Sequence, residues 1–146
     1  MGTVSQVEEC YLGGRECIKL IRKLTKHVEW AHLQDPFDVV VYIARGGRQI
    51  GKRIARRLQI PVRHVTISRY HGRVNIHHGT YRICDWKNPL VVDDVVDDGI
   101  TLRLFYNHFG PATTASLYYK LGTLPRPAYF AALKPNKWIV FPWEKD

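Results

Sequence analysis

The chain lacks the features that would assign it to a membrane, to a repeat array or to an export route. No stretch of 18 apolar residues and no signal-like N-terminus is present, so we expect a soluble, cytoplasmic protein with no membrane partner. Internal repeats, low-complexity segments and linkers are also missing, which favours a single domain over residues 1–146.

Cysteine is scarce, with three residues at positions 10, 17 and 84. An odd number of cysteines without C-x-x-C spacing indicates neither a disulfide framework nor a zinc site. We interpret all three as reduced, small apolar residues.

Acidic residues are outnumbered, because 13 Asp and Glu stand against 22 Lys and Arg, and the formal net charge is +9. Such a charge favours an anionic partner, either nucleic acid or a polyphosphate metabolite, and does not choose between them. The densest basic group falls on one predicted helix, and we interpret it as a solvated helix face: Arg48, Lys52, Arg53, Arg56 and Arg57.

Four of the few acids nevertheless fall within six residues, in the stretch PLVVDDVVDDGITL from Pro89 to Leu102. Leu90–Val92 predicts a buried parallel strand and Thr101–Phe109 a helix. The loop between them is predicted to hold Asp93, Asp94, Asp97, Asp98 and Gly99. Strand-to-helix turns are where α/β proteins bind ligands, and the N–H groups at a helix start can hold a phosphate. The stretch therefore predicts a site for a phosphorylated sugar carrying Mg²⁺.

A second apolar run, Val39–Ile43, is followed by Ala-Arg-Gly-Gly at 44–47 and by an amphipathic helical pattern. The two glycines permit a tight turn, and a strand, glycine turn and helix in succession predict a second anion site.

Further patterns complete an α/β arrangement with a central, mostly parallel sheet and helices on both faces. Strands are predicted over 4–12, 62–67 and 114–119. Apolar residues at three- and four-residue steps predict a helix that includes Cys17, Leu20, Ile21, Leu24 and Val28. The polar stretch 68–80, with Gly72 and Gly79, predicts a mobile β-ribbon.

The segment VVDDVVDDGIT, residues 91–101, resembles the signature of the type I phosphoribosyltransferases. That signature is an apolar run, two acids, two apolar residues, an acid, Thr or Ser, Gly, any residue and Thr. Asp98 is the single departure, because it stands where the family carries a small hydroxyl side chain. The Ala-Arg-Gly-Gly turn is similar to the pyrophosphate loop of the 6-oxopurine (hypoxanthine and xanthine-guanine) branch in bacteria and archaea. The ending FPWE resembles the hood of the xanthine-guanine enzymes and their archaeal relatives.

This resemblance implies the type I phosphoribosyltransferase fold, with a flexible loop near 68–80 and a small hood from about 121–146. It implies transfer of phosphoribosyl from 5-phosphoribosyl 1-diphosphate to hypoxanthine, guanine or xanthine, with Mg²⁺ as cofactor. Nucleic acid is then not an expected partner. Family habit implies a homodimer or homotetramer.

The resemblance also implies roles for the acids. Asp93 and Asp94 would hold the ribose 2- and 3-hydroxyls, directly or through Mg²⁺, and Asp97 would manage the proton on purine N7 or N9. The 5-phosphate would bind the backbone N–H groups of Asp98, Gly99, Ile100, Thr101 and Leu102.

The remaining implied contacts surround these acids. Pyrophosphate would bind Arg45, Gly46 and Gly47, and the flexible loop would begin at Ser68, Arg69 and Tyr70. In the purine pocket, Lys120 would donate to O6, Trp138 would stack on the ring, and Ile139 would lie beside it.

Two alternatives stay open at this point. A non-catalytic regulator that senses nucleotides or binds RNA would suit the charge of +9. An adenine- or pyrimidine-specific enzyme would keep the acids but lack the pairing of Lys120 with Trp138.

The departure at Asp98 carries its own expectation. An ionised carboxylate aimed at a phosphate would repel it, and two arrangements avoid this repulsion. Either the side chain turns away to cap a backbone N–H or meet a basic residue, or a bound cation or Arg lies between it and the phosphate. We expect the first.

Overall fold

A computed structural model describes residues 8–70, 73–78 and 85–144. The elements in chain order are β1 (Glu9–Tyr11), α1 (Gly14–Gln34), β2 (Val39–Ala44), α2 (Arg48–Leu58), β3 (Val62–Tyr70), β4 (Arg73–His78), β5 (Pro89–Val96), α3 (Ile100–Phe109), β6 (Thr113–Tyr119), β7 (Tyr129–Leu133), β8 (Trp138–Val140) and a 3₁₀ helix (Pro142–Glu144).

The central sheet has six strands in the order β4-β3-β2-β5-β6-β7. From β3 to β7 all neighbouring strands pair in parallel, and β4 lies antiparallel to β3 at the edge. The predicted α/β fold with a mostly parallel sheet is confirmed.

Helices cover both faces of this sheet. Val40 and Val92 pack with α1 and α2 on one face, whereas Val41 and Val91 pack with α3 on the other. Alternate residues of β2 and β5 thus enter different cores, which is why both strands are continuously apolar. The prediction for α1 is confirmed in its buried residues, which are Cys17, Ile21, Leu24 and Val28. No helix in the described ranges is long and apolar enough to cross a bilayer.

The basic residues of α2 lie on its exposed side, as the sequence predicts. The opposite side buries Ile50, Ile54 and Leu58. Arg57 Nε donates to Glu29 Oε1 at 2.7 Å, an exposed contact between α2 and α1.

Strand β5 is longer than the apolar run that predicts it. Pairing with β6 continues through Asp93, opposite Ser116, and through Val95 and Val96. The prediction that Asp93 and Asp94 lie in a loop is therefore wrong, because both residues belong to strand β5.

The hood is smaller than predicted, and its strand pairs with β1, a pairing that the sequence does not indicate. Residues 129–133, assigned to the hood, form β7 of the central sheet. Strand β8 instead pairs in parallel with β1, with Trp138 opposite Glu9. Of the edge strand predicted over 4–12, β1 covers Glu9–Tyr11, and residues 4–7 lie outside the described ranges.

The ribbon predicted near 68–80 is present as the antiparallel pair of β3 and β4, in which Ser68 lies opposite Asn75. Ser68, Arg69 and Tyr70 are the last residues of β3 rather than a loop. Residues 71, 72, 79 and 80 of the predicted flexible loop, and Cys84, lie outside the described ranges.

Candidate active site

Two turns lie side by side at the carboxyl edge of the sheet. Strands β2 and β5 are parallel neighbours, so the turn after β2 and the acidic segment of β5 emerge together. The first turn holds Arg45, Gly46 and Gly47, and the Gly47 N–H donates to the Ile43 carbonyl oxygen at 2.9 Å. The Ala44–Arg45 peptide bond is cis. The two predicted anion sites are thereby brought together.

The first turn is in close contact with β5 at both glycines. A Cβ atom on Gly46 would overlap the carboxyl group of Asp94. A Cβ atom on Gly47 would lie 2.5 Å from the carbonyl oxygen of Val92. Only glycine fits this approach of turn to strand.

Asp93 and Asp94 are fixed by hydrogen bonds to the backbone. Asp93 is 8% exposed, and its Oδ1 accepts the Asp94 N–H at 2.8 Å. Asp94 Oδ1 accepts the Val95 N–H at 2.7 Å. Burial raises the pKa of the Asp94 carboxyl, and the hydrogen bonds that it accepts oppose this rise only in part. A charge on Asp94 would therefore be stabilised by a cation or a hydroxyl donor in the site.

The acidic turn from Asp97 to Gly99 is held by the connection between β6 and β7. Gly99 has φ +76°, a conformation that favours glycine, and a Cβ there would overlap the carbonyl oxygen of Leu124. The Thr123 hydroxyl donates to the Asp97 carbonyl oxygen at 2.6 Å. These contacts fix the backbone of the turn that includes Asp97.

Asp98 adopts the first of the two arrangements expected for it. Its Oδ1 accepts the N–H of Ile100 at 3.0 Å, within the first turn of α3. Arg103 Nη2 donates to the Asp98 carbonyl oxygen at 3.0 Å. The Ile100 N–H is one of the groups predicted to hold the 5-phosphate, so the Asp98 carboxylate occupies a donor that a phosphate would use.

A cavity of about 290 Å³ joins these groups. Carboxylates, turn residues and apolar side chains form its walls, which include Ala44, Gly46, Ile67, Asp93, Asp94, Asp97, Asp98, Gly99, Thr101, Leu102, Lys134, Trp138, Ile139, Phe141 and Glu144. Trp138 is 57% exposed, whereas Ile139 is buried. The exposed indole therefore offers a flat apolar surface in a cavity whose wall also holds five carboxylates.

The cavity wall contains a lysine other than the predicted one. Lys120 follows β6, and its backbone N–H donates to the Val96 carbonyl oxygen at 2.9 Å, but its side chain is exposed and outside the cavity wall. Lys134 follows β7 and lines the cavity, with Nζ 3.8 Å from Asp97 Oδ1. The role of Lys120 remains a prediction.

Arg45 faces a different cavity from Gly46, the next residue. A second cavity of about 500 Å³ is lined by Arg45, Arg48, His64 and Trp143, among others. Gly46 lines the first cavity. The predicted pyrophosphate turn thus separates the two cavities.

Sequence reasoning missed Lys134, Thr123 and Glu144. Lys134 carries the same local signal as Lys120, since each follows a strand. Thr123 acts on Asp97 through a contact 26 residues away in sequence. Glu144 lines the cavity and accepts the Phe141 N–H at 3.1 Å, and it stands within the FPWE segment.

Comparison with known proteins agrees with this geometry. The family described as the phosphoribosyl transferase domain matches residues 4–144. The chain is 30% identical over 127 residues to a xanthine-guanine phosphoribosyltransferase of Nitratidesulfovibrio vulgaris (strain DP4), covering 83% of this chain and 78% of that protein. It is 31% identical over 130 residues to the Desulfotalea psychrophila protein of the same name, covering 84% and 80%. A purine phosphoribosyltransferase structure from Pyrococcus horikoshii Ot3 superposes with a TM-score of 0.79 at 27% identity, covering 95% of each chain.

Proposed function

The chain belongs to the phosphoribosyl transferase domain family, and from this premise we propose that it transfers phosphoribosyl from 5-phosphoribosyl 1-diphosphate to a 6-oxopurine. The products are the nucleoside monophosphate and pyrophosphate, and the role is purine salvage. Hypoxanthine, guanine and xanthine are the candidate bases. The observation that carries the proposal is the cavity in which Asp93, Asp94 and Asp97 lie beside the exposed ring of Trp138.

The sugar and its phosphates bind at the carboxyl edge of the sheet. Asp93 and Asp94 bind the ribose 2- and 3-hydroxyls, and the N–H groups of residues 98–102 bind the 5-phosphate at the start of α3. Arg45, Gly46 and Gly47 bind the pyrophosphate. Support for this division comes from the close approach of Gly46 to the Asp94 carboxyl, which brings the turn after β2 next to the acids of β5.

Mg²⁺ fits the carboxylate pair of Asp93 and Asp94. Within the described ranges no group of three or more His, Cys, Asp and Glu side chains is arranged to hold a metal. A pair of carboxylates suits Mg²⁺, which keeps several waters and binds substrate phosphates together with one or two protein carboxylates. When bound, the ion neutralises charge on the departing diphosphate.

The reaction needs no covalent nucleophile. Purine N9 forms a bond to C1 of the ribose, the bond from C1 to the diphosphate oxygen breaks, and pyrophosphate leaves with that electron pair. The Asp97 carboxylate accepts the proton that the purine ring loses. The protein contributes positioning and charge stabilisation.

The base lies against Trp138 and Ile139. The ribbon of β3 and β4, with Ser68, Arg69 and Tyr70 at the end of β3, excludes water from the reaction centre. Support comes from Ile67, the residue before them, which lines the cavity.

A direct assay tests the proposal. Purified protein is incubated with the sugar diphosphate, Mg²⁺ and one base at a time, namely hypoxanthine, guanine, xanthine, adenine and uracil, and nucleotide and pyrophosphate are measured. Turnover of 6-oxopurines is expected. Binding of nucleotide or RNA without turnover of any base would instead support a non-catalytic regulator, which the exposed basic side of α2 would suit.

Asp93→Asn and Asp94→Asn are expected to weaken Mg²⁺-dependent binding of the sugar diphosphate by roughly tenfold or more, the loss typical of one hydrogen bond to a charged group. Calorimetric titration with and without Mg²⁺ measures this loss. Unchanged binding in both variants would contradict the assignment of the ribose diol and the metal.

The Asp94 variant has a second readout in stability. The folded-state pKa of Asp94 is raised by burial, so its contribution to stability falls as pH rises from the unfolded to the folded pKa. Asparagine removes that fall, and we expect Asp94→Asn to unfold at the parent temperature or above it near neutral pH. A lower unfolding temperature would show that the ionised carboxylate stabilises the fold.

Asp98→Thr is expected to tighten binding of inosine or guanosine monophosphate by about 1.5–3 kcal/mol, because threonine supplies a donor to the phosphate. The substitution also removes the carboxylate that occupies the Ile100 N–H. Titration with the monophosphate measures the change, and Asp85→Thr, at an exposed acid outside the site, is the matched control. Weaker binding in Asp98→Thr would show that the carboxylate is itself an organised part of the site.

A further inference from the structure

The net positive charge of the chain lies almost entirely on one layer of the fold. Helix α1 has five Lys and Arg residues against two Glu, and α2 has five against none. The two helices together therefore carry a net charge of +8, out of +9 for the whole chain. They cover the same face of the sheet, whereas α3 on the other face has a single charged residue, Arg103. The fold thus adds the charge of α1 to the basic side of α2 that the sequence indicates.

The basic sides of the two helices are adjacent and exposed. Arg57 of α2 contacts Glu29 of α1 at 2.7 Å. Burial raises the pKa of the Cys17 thiol in α1, and the charge of the nearby Arg53 in α2 opposes this rise. We call the ten exposed basic residues of these helices the basic layer, and they are Arg15, Lys19, Arg22, Lys23, Lys26, Arg48, Lys52, Arg53, Arg56 and Arg57.

Most of the basic layer has no acid to balance it. Among the residues that the structure describes, only two of the ten meet a carboxylate, at 2.7 Å for Arg57 and 3.9 Å for Lys19. Like charges four residues apart destabilise a helix, and Lys19 and Lys23 form such a pair. A polyanion bound across the layer would remove this repulsion and release the counterions that the polyanion holds in solution.

An exposed tryptophan continues the row of lysines on α1. Lys19, Lys23, Lys26 and Trp30 follow one another at steps of four, three and four residues, which places them on one side of the helix. The Trp30 side chain is 67% exposed. Single-stranded nucleic acids bind such a pairing, because phosphates meet the cations while an unstacked base lies on the aromatic ring. A duplex keeps its bases stacked and leaves the ring unused.

An anionic membrane is the other extended surface that attracts a basic helix. A helix that binds a membrane in this way inserts its apolar side among the lipids. The apolar side of α1 is already buried in the protein core, at Cys17, Ile21, Leu24 and Val28. The charge and the exposed ring therefore favour nucleic acid.

We propose that the basic layer binds single-stranded nucleic acid, with phosphates on the basic side chains of α1 and α2 and one base stacked on Trp30. These contacts recognise the backbone and the face of a ring, so no base sequence is preferred. The resemblance to purine enzymes does not predict such a partner. This binding is additional to phosphoribosyl transfer at the carboxyl edge of the sheet and does not depend on it.

The test measures binding of a fluorescently labelled oligouridylate of about 12 nucleotides by anisotropy at several salt concentrations. The logarithm of the binding constant is expected to fall with the logarithm of salt concentration with a slope of about −3.5, as for about five neutralised phosphates of a single strand. Trp30→Leu is expected to weaken binding about five- to 150-fold, the loss of one stacked base.

Two double variants separate the basic layer from net charge. Lys23→Gln with Lys26→Gln is expected to weaken binding and to make the salt slope shallower by about 1.4. Lys87→Gln with Lys137→Gln removes the same charge at exposed lysines outside the layer, and it is expected to bind as the parent does. All variants are expected to keep the parental turnover of 6-oxopurines.

Four results would overturn the proposal. They are a parent that binds no oligouridylate, equal losses in the two double variants, parental binding in Trp30→Leu, and displacement of the oligouridylate by saturating 5-phosphoribosyl 1-diphosphate, which would place it in the active-site cavity. Binding to phosphatidylserine vesicles in place of the oligouridylate would show a membrane surface instead. A parent that binds the oligouridylate on this layer but transfers phosphoribosyl to no base would refute the proposed function and support this surface.

Discussion

Asp97→Asn is expected to lower kcat for nucleotide formation by roughly 10²- to 10⁴-fold, the range for loss of a general base. Asparagine keeps the shape of the side chain but cannot take the proton that the purine loses. The hydrogen bond that holds this turn uses the backbone carbonyl oxygen of Asp97, so the fold should persist. Steady-state kinetics with hypoxanthine measure the loss.

The control for Asp97→Asn is Asp85→Asn, at an exposed acid outside the cavity wall. Binding of the sugar diphosphate to Asp97→Asn should stay near the parent value, since Asp93 and Asp94, the proposed ligands of the ribose hydroxyls, are unchanged. A variant that kept parental kcat, or lost sugar diphosphate binding to the same extent as kcat, would show that Asp97 has another role.

Gly46→Ala is expected to reduce activity by at least about 100-fold, the loss that a displacement of about 1 Å can cause in a positioned site. The new methyl group would overlap the Asp94 carboxyl, which is held by the Val95 N–H and cannot yield without losing that bond. Binding of pyrophosphate and of the sugar diphosphate should weaken together, as calorimetric titration can show.

Two other glycines separate this local effect from misfolding. Gly14→Ala is the neutral control, because nothing lies within 4 Å of a Cβ there. Gly47→Ala meets the backbone of Val92, and we expect it to lower the free energy of unfolding by about 1–3 kcal/mol, as overpacking does. A Gly46→Ala protein that unfolds like Gly47→Ala would contradict a purely local role for Gly46.

The sequence predicts the fold well where burial on both faces makes a strand apolar. Val39–Ile43 and Leu90–Val92 are recognisable for that reason, and the turns that follow them lie together as expected. The end of β5 is not recognisable in this way. Its last four residues include two acids, and this end is strand because β6 pairs with Asp93, Val95 and Val96, which the local sequence does not indicate.

The side of the cavity that lies near Trp138 is predicted less well, for a related reason. Lys120 and Lys134 both follow strands, so the local sequence does not distinguish Lys134, whose side chain lines the cavity, from Lys120, whose side chain does not. The same holds for Thr123, whose hydroxyl bond to Asp97 joins residues far apart in sequence. The resemblance to a family supplies roles, but it does not supply these contacts.

The pairing of β1 with β8 joins a strand that is synthesised early to one that is synthesised late. Trp138 and Ile139 lie opposite Glu9 and Cys10, and the Trp138 N–H donates to the Glu8 carbonyl oxygen at 2.8 Å. A nascent chain on the ribosome grows from its N-terminus, so β1 is synthesised before the central sheet and its partner β8 after it. The acids of β5 and the turns after β2 and β5 are already synthesised when β8 is made. The part of the cavity wall that Trp138 and Ile139 form is therefore synthesised after the acids, and it is held by a strand that is made before them.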